Sequence, residues 1–172
     1  MIKLRDILKE VGEATSATYP YKITQDSGDI YDPNSIDSTL VYSFETEQGT
    51  KYDVVINGMQ AEDSDEYYLD VEFLADSEYR ATGEGKPLRI MSTVVAIMRE
   101  VVEGDKNQVI DGIVYSPVEK ISDRDFWNPD YQEPEEDNQR DQMYRRFITK
   151  ATRGKVSFSN QDGVVLAKFT NR

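Results

Sequence analysis

The chain has 172 residues, with 33 acidic side chains against 20 basic and a formal net charge of −13. That length supplies one core of ordinary size, and that charge repels a phosphate backbone, which argues against general nucleic-acid binding. It contains neither cysteine nor histidine, which excludes disulfides, thiolate nucleophiles, cysteine–zinc sites and a Ser-His-Asp triad.

Charges interrupt the N-terminal Met1-Ile2-Lys3-Leu4-Arg5-Asp6, so no signal peptide is expected there. The apolar run 91–98 is far shorter than the ~20 residues of a membrane span. Mean hydropathy is −0.66. The expectation is a soluble cytoplasmic protein, of a cell or of a virus growing in one.

Residues 2–11 are expected as an amphipathic helix, because Leu4, Ile7, Leu8 and Val11 share one stripe. Residues 19–24 are expected as a short edge strand limited by Pro20, and 25–38, rich in Asp, Ser, Gly, Pro and Asn, as a loop. Strands over 40–46 and 51–57 flank Glu47-Gln48-Gly49-Thr50, which predicts a hairpin. An acidic connection, 59–66, follows. Residues 67–74 alternate, with Tyr67, Leu69, Val71 and Phe73 on one side and Tyr68, Asp70 and Glu72 on a wet one.

Arg80 to Gly85 reads as a glycine-containing loop, and Pro87 suits the first turn of a helix. Apolar residues at 88, 91, 94, 95, 98 and 101 predict a helix over 88–102. A mostly apolar central strand is expected at 110–116, a long acidic loop at 117–138 containing Trp127, and a helix at 139–152. Strands 155–159 and 164–170 close the chain as a hairpin around Asn160-Gln161-Asp162-Gly163. The helix between strands 67–74 and 110–116 is a crossover, so those strands are expected to run parallel in a mixed sheet. One α/β (α+β) domain over 1–172, with six or seven strands, is the expectation.

Arg80-Ala81-Thr82-Gly83-Glu84-Gly85-Lys86-Pro87-Leu88 has the form R-x-x-G-x-G-x-x-L between a strand and a helix. Glycines admit close backbone approach, N–H groups at a helix start attract anions, and Arg80 and Lys86 add charge, so the segment suits a diphosphate. The plainer reading is a tight strand-to-helix turn.

With that loop and this element order the sequence resembles the GNAT superfamily of N-acetyltransferases, over roughly residues 40–170. The resemblance implies a GNAT-like mixed sheet and acetyl-coenzyme A as cofactor. Arg80, Thr82, Gly83, Gly85 and Lys86 would hold its diphosphate, and the strand edge at Val71 and Phe73 its pantetheine arm. Tyr144, in Gln142-Met143-Tyr144-Arg145-Arg146-Phe147, would be the general acid that protonates the leaving thiolate. Tyr144 has a second reading as a packing residue. The family's two acceptor-side helices have no room in 25–39. The chain is also similar to uncharacterised tailed-bacteriophage proteins, through Ser92-Thr93-Val94 after the glycine loop and the late helix bearing Tyr144-Arg145-Arg146. This resemblance implies a non-catalytic virion-associated or host-interaction protein.

Charge is segregated. Asp53, Glu62, Asp63, Asp65, Glu66, Asp70, Glu72, Asp76 and Glu78 lie between Lys51 and Arg80 with no basic residue among them. Arg145, Arg146, Lys150, Arg153, Lys155, Lys168 and Arg172 face only Asp162 after Tyr144. The basic end suits an anionic cofactor, and the acidic meander a cationic acceptor, a basic protein surface or a solvated face. In the 117–138 loop the aromatic cluster Phe126-Trp127-Asn128-Pro129-Asp130-Tyr131 is expected to be ordered, with 133–138 solvated. Trp127 either pins the loop to the body or anchors a protein partner.

Overall fold

The computed structural model describes residues 18–35, 37–75, 87–116, 135–161 and 163–170. The strands are β1 (Tyr21–Ser27), β2 (Thr39–Glu45), β3 (Lys51–Gln60), β4 (Tyr67–Ala75), β5 (Gly112–Tyr115), β6 (Val156–Gln161) and β7 (Val164–Phe169). The helices are α1 (Pro87–Gly104) and α2 (Glu135–Ala151). The strands form one sheet ordered β1-β2-β3-β4-β5-β7-β6. Its pairs are antiparallel except β4–β5, which the α1 crossover makes parallel. The architecture is mixed α+β, as the sequence predicts at that level.

Alternation sorts the side chains into two faces. Register carries one apolar row through Leu40, Ile56, Val71, Tyr115 and Val165, and a second through Tyr42, Val54 and Phe73. A third runs through Leu69, Ile113, Ala167 and Phe158. Both helices cover this face. The Tyr21 and Tyr42 hydroxyls donate to Glu100 of α1 at 3.0 and 3.1 Å, and the Tyr144 ring of α2 lies 5.0 Å from that of Tyr115. Val54, Ile56, Leu69, Ile97, Ile113 and Val165 are sealed from solvent, each aliphatic contributing roughly 1.5–3 kcal/mol by burial.

The opposite face is polar along much of its width. Thr24 and Ser43 share a hydrogen bond of 2.7 Å, Ser43 Oγ donates to Asp53 at 2.5 Å, and Thr39 donates to Asn57 at 2.8 Å. Lys168 pairs with Glu66, which also accepts from the Tyr68 hydroxyl at 2.6 Å. The lysine, then the phenol, hold the Glu66 carboxyl below its usual value. Tyr68 corrects the expectation of a wet side chain. It is only 6 % exposed, because its ring edge fills the space above Gly112.

Several boundaries differ from expectation. β1 continues through Gln25, Asp26 and Ser27, predicted as loop, because an edge strand is held by backbone pairing to β2 across a register shift between Ile23 and Gln25. β3 runs to Gln60, so the acidic connection narrows to a turn in which Ala61 N–H donates to Glu66 C=O at 3.0 Å. β5 is shorter than 110–116, since Asp105 captures the N–H groups of Val109 and Ile110. α2 begins at Glu135 rather than 139. This shortens the expected 117–138 loop. The expected helix at 2–11 lies outside the described residues. No helix among the described residues is long and apolar enough to cross a membrane.

Candidate functional site

A parallel pair flanked by a crossover leaves ligands their room beyond the carboxyl ends of its strands. Here the β4–β5 ladder runs from Tyr68 opposite Gly112 to Val71 opposite Tyr115, where β5 ends. β4 runs on to Ala75. Val71 and Phe73 are half-buried on the face that the helices cover. Phe73 starts a ring stack across the sheet: 5.1 Å to Tyr52, 5.2 Å from there to Phe44, and 5.8 Å on to Tyr19.

Arg89, in the first turns of α1, closes the stack with its guanidinium 4.1 Å from the Tyr19 ring centre. Its NH1 meets Glu47 at 2.6 Å and its NH2 donates to Thr18 C=O at 3.3 Å. Its buried Nε has no hydrogen-bond partner among the described residues. Glu47 also accepts from the Tyr19 hydroxyl at 2.6 Å, and Tyr19 N–H donates to Thr93 Oγ1 at 2.9 Å. These contacts tie the start of α1 to the segment before β1 and to the β2–β3 turn.

Tyr115 and Tyr144 meet where the ladder stops, their rings 60° apart. Tyr115 Oη donates to Asp141 at 3.0 Å, and Asp141 pairs with Arg145 at 2.8 Å. Arg145 in turn lies 4.9 Å from the Phe158 ring centre. Burial, then the Asp141 carboxylate, hold the Tyr115 phenol well above its usual value, so it stays a proton donor throughout the neutral range.

Of the expected site residues, Val71, Phe73 and Tyr144 are gathered at one end of the β4–β5 pair, with Tyr115 linking Val71 to Tyr144. Tyr144 is 6 % exposed, in keeping with the packing reading. Arg80, Thr82, Gly83, Gly85, Lys86 and Trp127 lie outside the described residues. Sequence reasoning missed Tyr115. Its signal was its place at the carboxyl end of the strand after the crossover. Among the described residues, no group of three or more carboxylates is arranged to hold a metal ion. Comparison with protein-family models, curated proteins and solved structures finds no match to this chain.

Proposed function

We propose that the chain is a GNAT-like acyl-coenzyme A-dependent N-acetyltransferase, or a relative of one that has lost its acceptor side. The observation that carries the reading is the end of the β4–β5 ladder at Val71 and Tyr115, with Tyr144 beside it and β4 continuing past it. Val71 is paired on both sides, with Ile56 and Tyr115, so it is no strand edge and marks where the open edge of β4 begins. The β4 backbone beyond it, at Phe73, would receive an extended amide-bearing arm as a strand edge does. Arg80, Thr82, Gly83, Gly85 and Lys86 would hold the diphosphate of acetyl-coenzyme A on backbone N–H groups and two positive charges. The bound cofactor would supply the activated thioester. Tyr144 Oη would give its proton to the departing sulfur.

A second reading rests on a specific observation. β1 and β2 are joined through residues 28–38, and the described residues there form turns and no helix. The two helices that shape the acceptor side in the GNAT superfamily have no counterpart between those strands. This favours a non-catalytic interaction protein, bacteriophage-encoded, presenting the acidic 61–66 turn to a basic protein surface.

Thermal-shift titration with acetyl-coenzyme A separates the two. At a hundredfold excess over Kd, binding stabilises by about 2.7 kcal/mol, or roughly 5–10 °C for a chain of this length. A flat titration to millimolar cofactor removes the acetyltransferase reading and leaves the interaction protein.

A further inference from the structure

An open cleft of about 600 Å³ lies between the C-terminal half of α1 and the C-terminal end of α2. Arg99, Lys150, Arg153 and Lys155 line it, together with Val102 and the ring of Phe147. Four cations in one cleft oppose the sign of a molecule with net charge −13. Among the described residues, no ion pair engages any of the four. Elsewhere Arg89, Arg145 and Lys168 are each tied to a carboxylate.

Helix stabilisation accounts for only part of this. A basic residue in the last turn complements the helix dipole, which explains Lys150. Arg153 and Lys155 lie beyond the helix, and Arg99 sits on the other helix, its guanidinium 5.9 Å from the Phe147 ring centre. The terminal carbonyls of α2 are also engaged. Ile148, Lys150 and Thr149 accept from the N–H groups of Thr152, Arg153 and Gly154 at 2.9, 3.2 and 2.7 Å, which blunts their repulsion of an anion. Of the two acidic lining residues, Asp105 is 6 % exposed and holds the N–H groups of Val109 and Ile110 at 2.9 and 3.1 Å. Glu103 is left as the exposed carboxylate of the lining.

We infer that this cleft binds a small molecule bearing a di- or triphosphate. A triphosphate concentrates about four negative charges at neutral pH into a length the four cations share, whereas an acidic peptide spreads its charges along its backbone. Arg99 and Arg153 offer two-pronged donors for phosphoryl oxygens, and Lys150 and Lys155 offer point charges. A cleft of this volume holds a nucleotide-sized ligand, with Val102 and the backing ring of Phe147 as its apolar wall. The inference does not depend on the acetyltransferase reading.

Calorimetric titration of the intact chain with sodium tripolyphosphate tests it. The expected result is saturable binding that weakens several-fold between about 50 and 200 mM salt. In R153Q/K155Q affinity falls at least tenfold. Both side chains are exposed, so the variant keeps its circular dichroism spectrum. A parallel titration with ATP identifies the source. Tighter binding than tripolyphosphate assigns the cleft to a nucleotide, and equal or weaker binding to a free polyphosphate. No heat of binding for either anion up to about 5 mM overturns the inference, as does unchanged affinity in R153Q/K155Q.

Discussion

Removing the Asp141 carboxylate tests how the ladder end is held. In Asp141→Ala the Tyr115 hydroxyl, on a residue 3 % exposed, loses its acceptor at 3.0 Å. Stranding a buried donor costs roughly 1–3 kcal/mol. The Arg145 pair is partly exposed on both sides, so its loss adds only about 0.3–0.5 kcal/mol. The sum is roughly 1.3–3.5 kcal/mol, a fall in melting temperature of about 3–14 °C for a chain of this size. Tyr115→Phe removes the donor itself and leaves Asp141 with Arg145 and water, so it costs about 1 kcal/mol. In the double variant no donor is stranded, and the second substitution costs little more than the exposed pair. Urea denaturation of the four proteins should therefore give a coupling of roughly 1–3 kcal/mol, the cost of the stranded donor. Costs that add within about 0.5 kcal/mol would show that Tyr115 and Asp141 act independently, and the account of the site's rigidity would fail.

Gly112→Ala and Gly154→Ala separate steric from conformational cost. A Cβ at Gly112 falls 2.3 Å from the Ala167 carbonyl oxygen, so β7 must shift and the variant loses about 3–4 kcal/mol in urea denaturation. At Gly154 space is open and φ is +78°, so the loss is about 1 kcal/mol, and equal costs would contradict the geometry. Tyr31 and Tyr68 are each pushed up to about 12, chiefly by burial, then by Asp105 and by Glu66 respectively. Because their folded values are raised, their contribution is full below the ordinary phenol value of 10.0 and is lost as pH rises from there through about 12. Absorbance at 295 nm should show a late-ionising phenol that disappears in Tyr31→Phe and another that disappears in Tyr68→Phe. Ionisation of both near 10 would refute this. On the acetyltransferase reading, Tyr144→Phe lowers kcat roughly 10²-fold at nearly unchanged KM, and an unchanged kcat would confine Tyr144 to packing.

The elements readable from sequence are those whose apolar residues keep a strict period. The 3.6-residue stripe from Leu88 to Val101 gave α1, and the alternation from Tyr67 to Phe73 gave β4. The two hairpins were announced by Gly49 and Gly163, both at positive φ. β1 was underestimated because Gln25, Asp26 and Ser27 have poor strand propensity, and an edge strand pairs through its backbone whatever its side chains. The site was legible only in part. Tyr144 was singled out by resemblance, but its neighbour Tyr115 and the Asp141 that holds Tyr115 come from different elements, and no local pattern joins them. The basic cleft was visible only as an excess of Lys and Arg near the C-terminus. Its fourth member, Arg99, comes from α1, so the fold alone unites the set.

Both helices border the two candidate sites. The 18 residues of α1, at 1.5 Å each, span roughly 27 Å. Its first turns are tied by Arg89 to Glu47 in the β2–β3 turn, at the end of the sheet where Tyr52 pairs with Ala75, the last residue of β4. Its far end carries Arg99 and Val102 into the basic cleft, then turns through Asp105 into β5 beside the first residues of β4. On α2 the sites lie closer: Tyr144 at the ladder end and Phe147 in the cleft are three residues apart, roughly 4.5 Å of helix rise, within the ~8 Å over which charges are screened at physiological ionic strength. Tyr144→Phe changes no charge, so it leaves tripolyphosphate binding unchanged. A loss of tripolyphosphate binding in that variant would require a mechanical coupling through the helices, and the buried face of α1 argues against one. Val94, Ile97, Met98 and Val101 pack into the same core as the sheet rows, and a helix set in a close-packed core has little room to slide or turn.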